Sequence, residues 1–376
     1  MKRRSGRARS AFLAIAVVVL VIVVVGVFAL TLSGSKSSST STPSTSHTTT
    51  TSRSTVTSTA SASLAKYNLS QPIGVTFDHA NGDLYVTDNF TNMVSVINVA
   101  SGKLVATIPV GKAPASVALD PVNGYVYVTN NDSDSISVID GASNSVLKTI
   151  PVGGIHPDGI ALDTANNCLY VAEHGNGAGG DVVSVINATS NTDALDINAI
   201  YHPTGVVYDS LNGEVYVTTG GSGVLVINPS TNKITTQISV GTSPEGIAFD
   251  PTNGDLYVAN TLSGTVSVIA GSSDTVIATI NVGTSSVNSV PYRVAFDSAN
   301  GYVMVTNDYS SGVSVINGTT NTVFKNIFTG FQSEPADLAI DPDNGNMYVV
   351  GHATDSLIVI SSSLTASYMD ASGGFP

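Results

Sequence analysis

Four of the six histidines in this chain of 376 residues, His156, His174, His202 and His352, stand within a few residues of an acid or a proline. Imidazole nitrogen with carboxylate oxygen is a ligand set for zinc, copper or iron. His156, His174 and His202 are therefore candidate metal ligands. No two of them have the short His-x-x-x-His spacing of a local site, so a shared ion would require the fold to bring three separate segments together. The competing reading is that they are polar loop residues. A second set comprises Asp158, Glu245, Arg293 and Asp337, each one or two positions after a proline, with His352 beside them as a further candidate for ligand binding. Carboxylates around a single guanidinium can shift one another's pKa and support acid/base work. They can equally form a solvated ring. Cys168, the one cysteine, reads as a small buried hydrophobe rather than a nucleophile. Asn130-Asn131-Asp132-Ser133-Asp134 is oxygen-rich but lacks the glycine and distal glutamate of an EF-hand. There is no nucleophile elbow, phosphate-binding loop, haem motif or paired CxxC. No cofactor is called for, the divalent metal at the histidines excepted.

The elements that position these residues come from a repeat. Seven segments begin at Pro72, Pro114, Pro157, Pro203, Pro244, Pro291 and Pro335, at spacings of 41 to 47 residues. Six residues after each proline stands an aspartate, from Asp78 to Asp341, and then a turn, usually Asn-Gly. A tyrosine follows in every repeat but the sixth, which has Met304. Each repeat holds four short runs rich in Val, Ile, Tyr and Thr, separated by turn residues and without helical period. Four antiparallel strands in a unit of this length make one propeller blade. The expected fold is all-β, a seven-bladed propeller of four-stranded blades over 64–376. The Asn-Gly pairs predict type I′ hairpins with positive φ at both residues. The repeated aspartates should accept hydrogen bonds from the turn backbone, and the tyrosines should pack between blades. Residues 64–70 occupy the place of a preceding repeat's last strand, and are expected to complete the last blade. Strand order puts the loops before each proline, and with them the scarce histidines, on one face of the disc.

Tyr127-Val128-Thr129-Asn130, Asp120-Pro121-Val122-Asn123-Gly124 and the Val-Ser-Val-Ile strands resemble the YVTN-type β-propeller repeat. The resemblance covers about residues 64 to 376. It implies an extracytoplasmic life like that of archaeal surface-layer and bacterial periplasmic propellers. It implies no single activity, because one fold hosts many functions. Lactonases and a streptogramin lyase are more distant seven-bladed relatives, and none of their signatures can be placed on these residues.

The N-terminus has a different character. Residues 1–10 carry five basic side chains and no acid, and read as a cytoplasmic tail. Residues 11–32 are uncharged, with Thr31 as the one polar side chain, long enough for a transmembrane anchor. The basic flank stays inside. A cleaved signal, or a hydrophobic N-terminus like that of pilin-like proteins, are the rival readings, and all three send the rest across the membrane. Residues 33–63 hold 23 Ser or Thr among 31 positions, a disordered linker with too little apolar surface to fold. The net charge of −13 argues against a nucleic-acid partner. The expectation is a cell-membrane, single-pass protein, with the N-terminus cytoplasmic and the propeller displayed outside. It would act as a non-enzymatic binding or cell-envelope protein with an envelope protein or glycan as partner. The alternative is an extracytoplasmic metal-assisted lyase or hydrolase with its site at the channel mouth.

Overall fold

The computed structural model describes residues 67–176, 179–283 and 289–368. Seven four-stranded antiparallel sheets follow one another, and in each the strands pair in chain order. The blades span 72–109, 114–151, 157–198, 203–239, 244–281, 291–328 and 335–368. Each innermost strand packs against the innermost strands of its two neighbours, and blade 7 closes on blade 1. The all-β, seven-bladed architecture expected from the repeat is the one observed. The tail, anchor and linker expected over 1–63 lie outside the described residues. Among the described residues no helix is long and apolar enough to cross a membrane.

Burial follows from a strand's place in its blade. Second and third strands are covered on both faces by neighbouring blades, so they read as continuous apolar runs such as Leu84-Tyr85-Val86 and Val94 to Ile97. Outermost strands are mostly exposed and alternate only weakly. The tyrosine of the second strand has no exposed surface in the six blades that carry it. In five of them its hydroxyl reaches the third-to-fourth-strand turn of the next blade. Tyr85 donates to Gly141 O and Asn144 Oδ1, Tyr127 to Asn191 Oδ1, Tyr170 to Asn232 Oδ1, Tyr216 to Asp274 Oδ1 and Tyr257 to Asn321 Oδ1. Burying each ring favours folding by about 1.5–3 kcal/mol, and the hydroxyl bond fixes the blade-to-blade register. Burial pushes the phenols up, Tyr85 and Tyr127 to about 12.

All seven repeated aspartates accept a backbone N–H two residues on, from Ala80, Val122, Ala165, Leu211, Thr252, Ala299 and Asp343. The turns they hold differ from the type I′ hairpin expected. Asp78 pairs with Asp83 across four loop residues. Of the Asn-Gly pair only the glycine has positive φ, 73° at Gly82 and 80° at Gly254. The Gly82 N–H donates to Asp78 O, one residue beyond a β-turn's reach. The aspartate side chain stabilises a right-handed start to the loop, so the asparagine has no need of positive φ.

Closure also departs from expectation. Among the described residues of the N-terminal segment, 67–70 form no strand, and the outermost strand of blade 7 is Ala366–Tyr368, paired with Ser356–Ile360. The reason is a seated side chain. Leu364 is buried against Ile358 and Ile360, and that contact lays the following residues along the open edge. The N-terminal segment packs there without becoming a strand. Tyr67 and Leu69 are buried with Tyr348, Val350, Leu357 and Val359, and the Tyr67 hydroxyl donates to Gly102 O.

Candidate functional site at the channel mouth

Each innermost strand opens with a β-bulge, between its proline and the third residue after it in six blades and between Pro335 and Asp337 in blade 7. A bulge re-aims the side chains that follow, and here it places them at the channel. In four blades the second residue after the proline is glycine: Gly74, Gly159, Gly205 and Gly246. A Cβ on any of them would collide with the main-chain oxygen of the next innermost strand. The neighbouring strands are drawn together by a threonine. Thr87 Oγ1 accepts the Gly74 N–H and donates to Ala115 O, and Thr218 Oγ1 does the same between Gly205 and Glu245. With glycine required at most of these positions, few side chains project into the channel.

Those gathered there include Ser116, Asp158, Glu245, Tyr292, Arg293 and Asp337. Arg293 of blade 6 reaches Asp158 of blade 3, Nη2 to Oδ1 2.9 Å, with side chains 10% and 16% exposed. The guanidinium lies 4.7 Å from the centre of the Tyr292 ring. Asp337 Oδ2 accepts the Val75 N–H at 3.1 Å, which ties the last blade to the first. A cavity of about 150 Å³ lies beside these groups, lined in part by Ser116, Gly159, Gly205, Gly246, Arg293 and Asp337.

The electrostatics are dominated by burial. It pushes Glu245 up to about 7, against the pull of Arg293 and with the push of Asp158. It pushes Asp337 up to about 6, again against Arg293. Tyr292 rises to about 12: Arg293 draws it down, but burial and the carboxylates outweigh that. Burial opposes the Arg293 charge, yet Tyr292, Asp158, Asp337 and Glu245 hold it firmly protonated. Three carboxyls therefore face one guanidinium. Such a site can compensate a cationic group, with Glu245 and Asp337 releasing protons as it arrives.

Asp158, Glu245, Arg293 and Asp337 thus come together, while His352 does not join them. Its N–H donates to Glu334 O, and its ring faces Asp308 at the boundary of blades 6 and 7. His156, His174 and His202 form a separate cluster on the same face. The His156 and His174 rings stack with centres 5.4 Å apart and planes 14° apart, and His174 and His202 lie 6.4 Å apart. His156 Nδ1 is 3.2 Å from Asn131 O, His174 Nε2 is 3.3 Å from Asn131 Nδ2, and His202 Nδ1 faces His174 O. Ligand nitrogens must meet about 2 Å from one ion, and near-parallel stacked rings do not converge in that way. Among the described residues no three His, Cys, Asp or Glu side chains are placed to hold a metal. In this arrangement the histidines bind one another's loops. Cys168 is half-buried at a strand start, and burial pushes its thiol up, as suits an unreactive side chain.

Two features were not singled out from the sequence. Tyr292 under Arg293 is one; its neighbour's charge was the available signal. The other is the backbone before six of the seven prolines. Gln71, Ala113, His156, His202, Ser243 and Glu334 all have φ between 45° and 55°, a left-handed conformation that costs non-glycine residues about 1 kcal/mol or more. No residue type marks it.

No family model matches the chain, and no curated protein matches it. Solved structures do. The chain is similar to hydrazine synthase of Kuenenia stuttgartiensis, with TM-score 0.70 and 18% identity, over 81% of this chain and 99% of that one. It is similar to a streptogramin B lyase, with TM-score 0.65 and 17% identity, over 78% and 93% of the two chains. It is also similar to virginiamycin B lyase from Staphylococcus aureus, with TM-score 0.66 and 18% identity, over 77% and 95%. The likeness is one of fold. At such identity a shared propeller carries no shared chemistry.

Proposed function

We infer that this chain is a non-enzymatic binding propeller of the YVTN type, displayed outside the cell from its N-terminal anchor, and that its ligand is an envelope component presenting a cationic group to the channel mouth. The observation that carries this is the convergence of Asp158, Glu245 and Asp337 from three blades on the single guanidinium of Arg293. Exposed apolar side chains on loops of the same face, Phe90, Tyr201, Leu262, Tyr309 and Phe331, suit a partner with apolar surface around that group. Agmatine, a small dication, is the probe. Titrated calorimetrically into the purified full-length protein, it is expected to bind more tightly at pH 8 than at pH 5, and more weakly to the Glu245→Gln and Asp337→Asn proteins. Heat changes indistinguishable from buffer, or equal binding to both variants, would remove the channel mouth as a cation site.

The metal-assisted lyase or hydrolase reading has one observation in its favour, the gathering of His156, His174 and His202 from blade 3 and the connections before and after it. Elemental analysis separates the two. Stoichiometric transition metal that is lost in a His156→Ala, His202→Ala protein would favour the enzyme.

A further inference from the structure

Blade 3 departs from a polar pattern that blades 2, 5 and 6 share. The residue of the second strand opposite the proline is Asn130, Asn260 or Asn307 in blades 2, 5 and 6. Each amide donates to a third-strand serine, Ser137, Ser267 or Ser314, at 2.9 to 3.0 Å. The outermost strand places Thr149, Thr279 or Asn326 opposite that serine. In blade 3 the same three places hold Glu173, Ser184 and Asp196. Two carboxyls thus replace an amide and an uncharged side chain.

The exchange leaves Glu173 without the well-formed hydrogen bond that the asparagine makes. It has no exposed surface, and neither carboxyl oxygen completes a hydrogen bond. Ser184, the serine that an asparagine would address, gives its own proton to Asp196 Oδ1 at 2.7 Å. A buried carboxyl with no partner is costly whether ionised or not. Burial, with Asp196 nearby, pushes Glu173 up to about 7, against the pull of the Ser184 hydroxyl and the Gly154 N–H. Room is kept around both groups by Gly153 and Gly154, where a Cβ would collide with the carboxylates of Asp196 and Glu173 respectively. The Gly180 carbonyl faces the same side of Gly154 as Glu173 Oε2. Asp196 is solvent-exposed, so the cluster has an opening.

We propose that Glu173 and Asp196 bind a hard divalent cation at the rim of blade 3, with the Ser184 hydroxyl and water completing its oxygen shell. Carboxylate, hydroxyl, carbonyl and water oxygens are the ligands that calcium and magnesium take, and magnesium is commonly held by only one or two carboxylates. No histidine takes part, and the site is distinct from both the histidine cluster and the channel mouth. Binding ionises Glu173 and releases its proton to solvent.

The test uses the full-length protein, stripped with EDTA and dialysed against calcium or magnesium chloride in separate arms. The expected result is about one ion per chain in one arm, with a thermal midpoint several degrees above the stripped protein. Glu173→Asn installs the residue of blades 2, 5 and 6, and so keeps the fold. It is expected to lose the ion and the shift while matching the wild-type far-UV circular dichroism. Asp196→Thr should behave likewise, and His202→Ala should keep both ion and shift. Binding that survives Glu173→Asn and Asp196→Thr would overturn the proposal, because the ion would then lie elsewhere on an acidic surface. So would the absence of binding in both arms at millimolar ion.

Discussion

Arg293 Nη2 lies 2.9 Å from Asp158 Oδ1 and joins blade 6 to blade 3 across the channel. Both side chains are largely buried, so the pair differs from a surface ion pair worth well under 1 kcal/mol. Removing one partner strands the other. Arg293→Met is expected to destabilise the protein by about 3–5 kcal/mol at neutral pH, because Asp158, Asp337 and Glu245 lose their one counter-charge. The loss should shrink near pH 4, where Glu245 and Asp337 take up protons. Thermal unfolding of the variant and wild type at pH 4 and pH 8 checks this. An equal difference at both would mean that packing, not charge, is what Arg293 supplies.

Glu245 gives the channel a pH dependence of known sign. Its folded pKa, about 7, lies above the ordinary carboxylate value. The folded state therefore binds the proton more tightly than the unfolded one. Stability is at its full value below the unfolded pKa, near 4, and declines as pH rises to about 7. Asp337, at about 6, acts in the same direction. Glu245→Gln is expected to flatten the decline, raising the midpoint at pH 8 with little change at pH 4. A steeper decline in the variant would show that Glu245 is ionised and held by Arg293.

The tyrosine bonds between blades can be ranked against an internal control. Tyr127 and Tyr216 each reach a side chain of the next blade, at 3.0 and 2.7 Å. Tyr348 is equally buried, but its hydroxyl makes no such bond. Its counterpart turn in blade 1 has Gly102, which offers no side chain and instead receives Tyr67. Tyr→Phe is therefore expected to cost about 1 kcal/mol at Tyr127 or Tyr216, and close to nothing at Tyr348. Urea unfolding midpoints of the three variants measure the contrast.

How much of this was legible follows from where each signal lives. A seven-fold repeat writes the innermost prolines, aspartates and tyrosines in register, so blade number and the aspartates' role could be read from residue type and offset. The channel residues Asp158, Glu245, Arg293 and Asp337 were legible for the same reason, since one or two positions after the proline means the channel wall. His352 was not, because it follows a second strand and its loop turns toward Asp308. The turn type was misread because Asn-Gly has two uses. The preceding aspartate, which side-chain bonds make a part of the turn, decides between them. Glu173 and Asp196 are visible as departures from asparagine and threonine, but strand pairing is needed to see that they share one serine.

Ring closure gives the last prediction. Composition favoured residues 64–70 as the closing strand, since Ser361-Ser362-Ser363 reads as a loop. One apolar side chain reverses that preference. Leu364 is 6% exposed against Ile358 and Ile360, and its carbonyl accepts from Lys325 Nζ of blade 6 at 2.7 Å. Strand Ala366–Tyr368 then pairs with Ile358, Val359 and Ile360. Leu364→Ala is expected to cost about 2–4 kcal/mol and to speed amide exchange at residues 366–368, which would lose the anchor of their edge. The N-terminal segment should be less affected, since Tyr67 and Leu69 pack in a different cluster, against Tyr348 and Val350. Exchange that quickened equally around Tyr67 would mean that the two chain ends unfold as one unit, and that the seam of blades 7 and 1, rather than Leu364, holds the last strand in place.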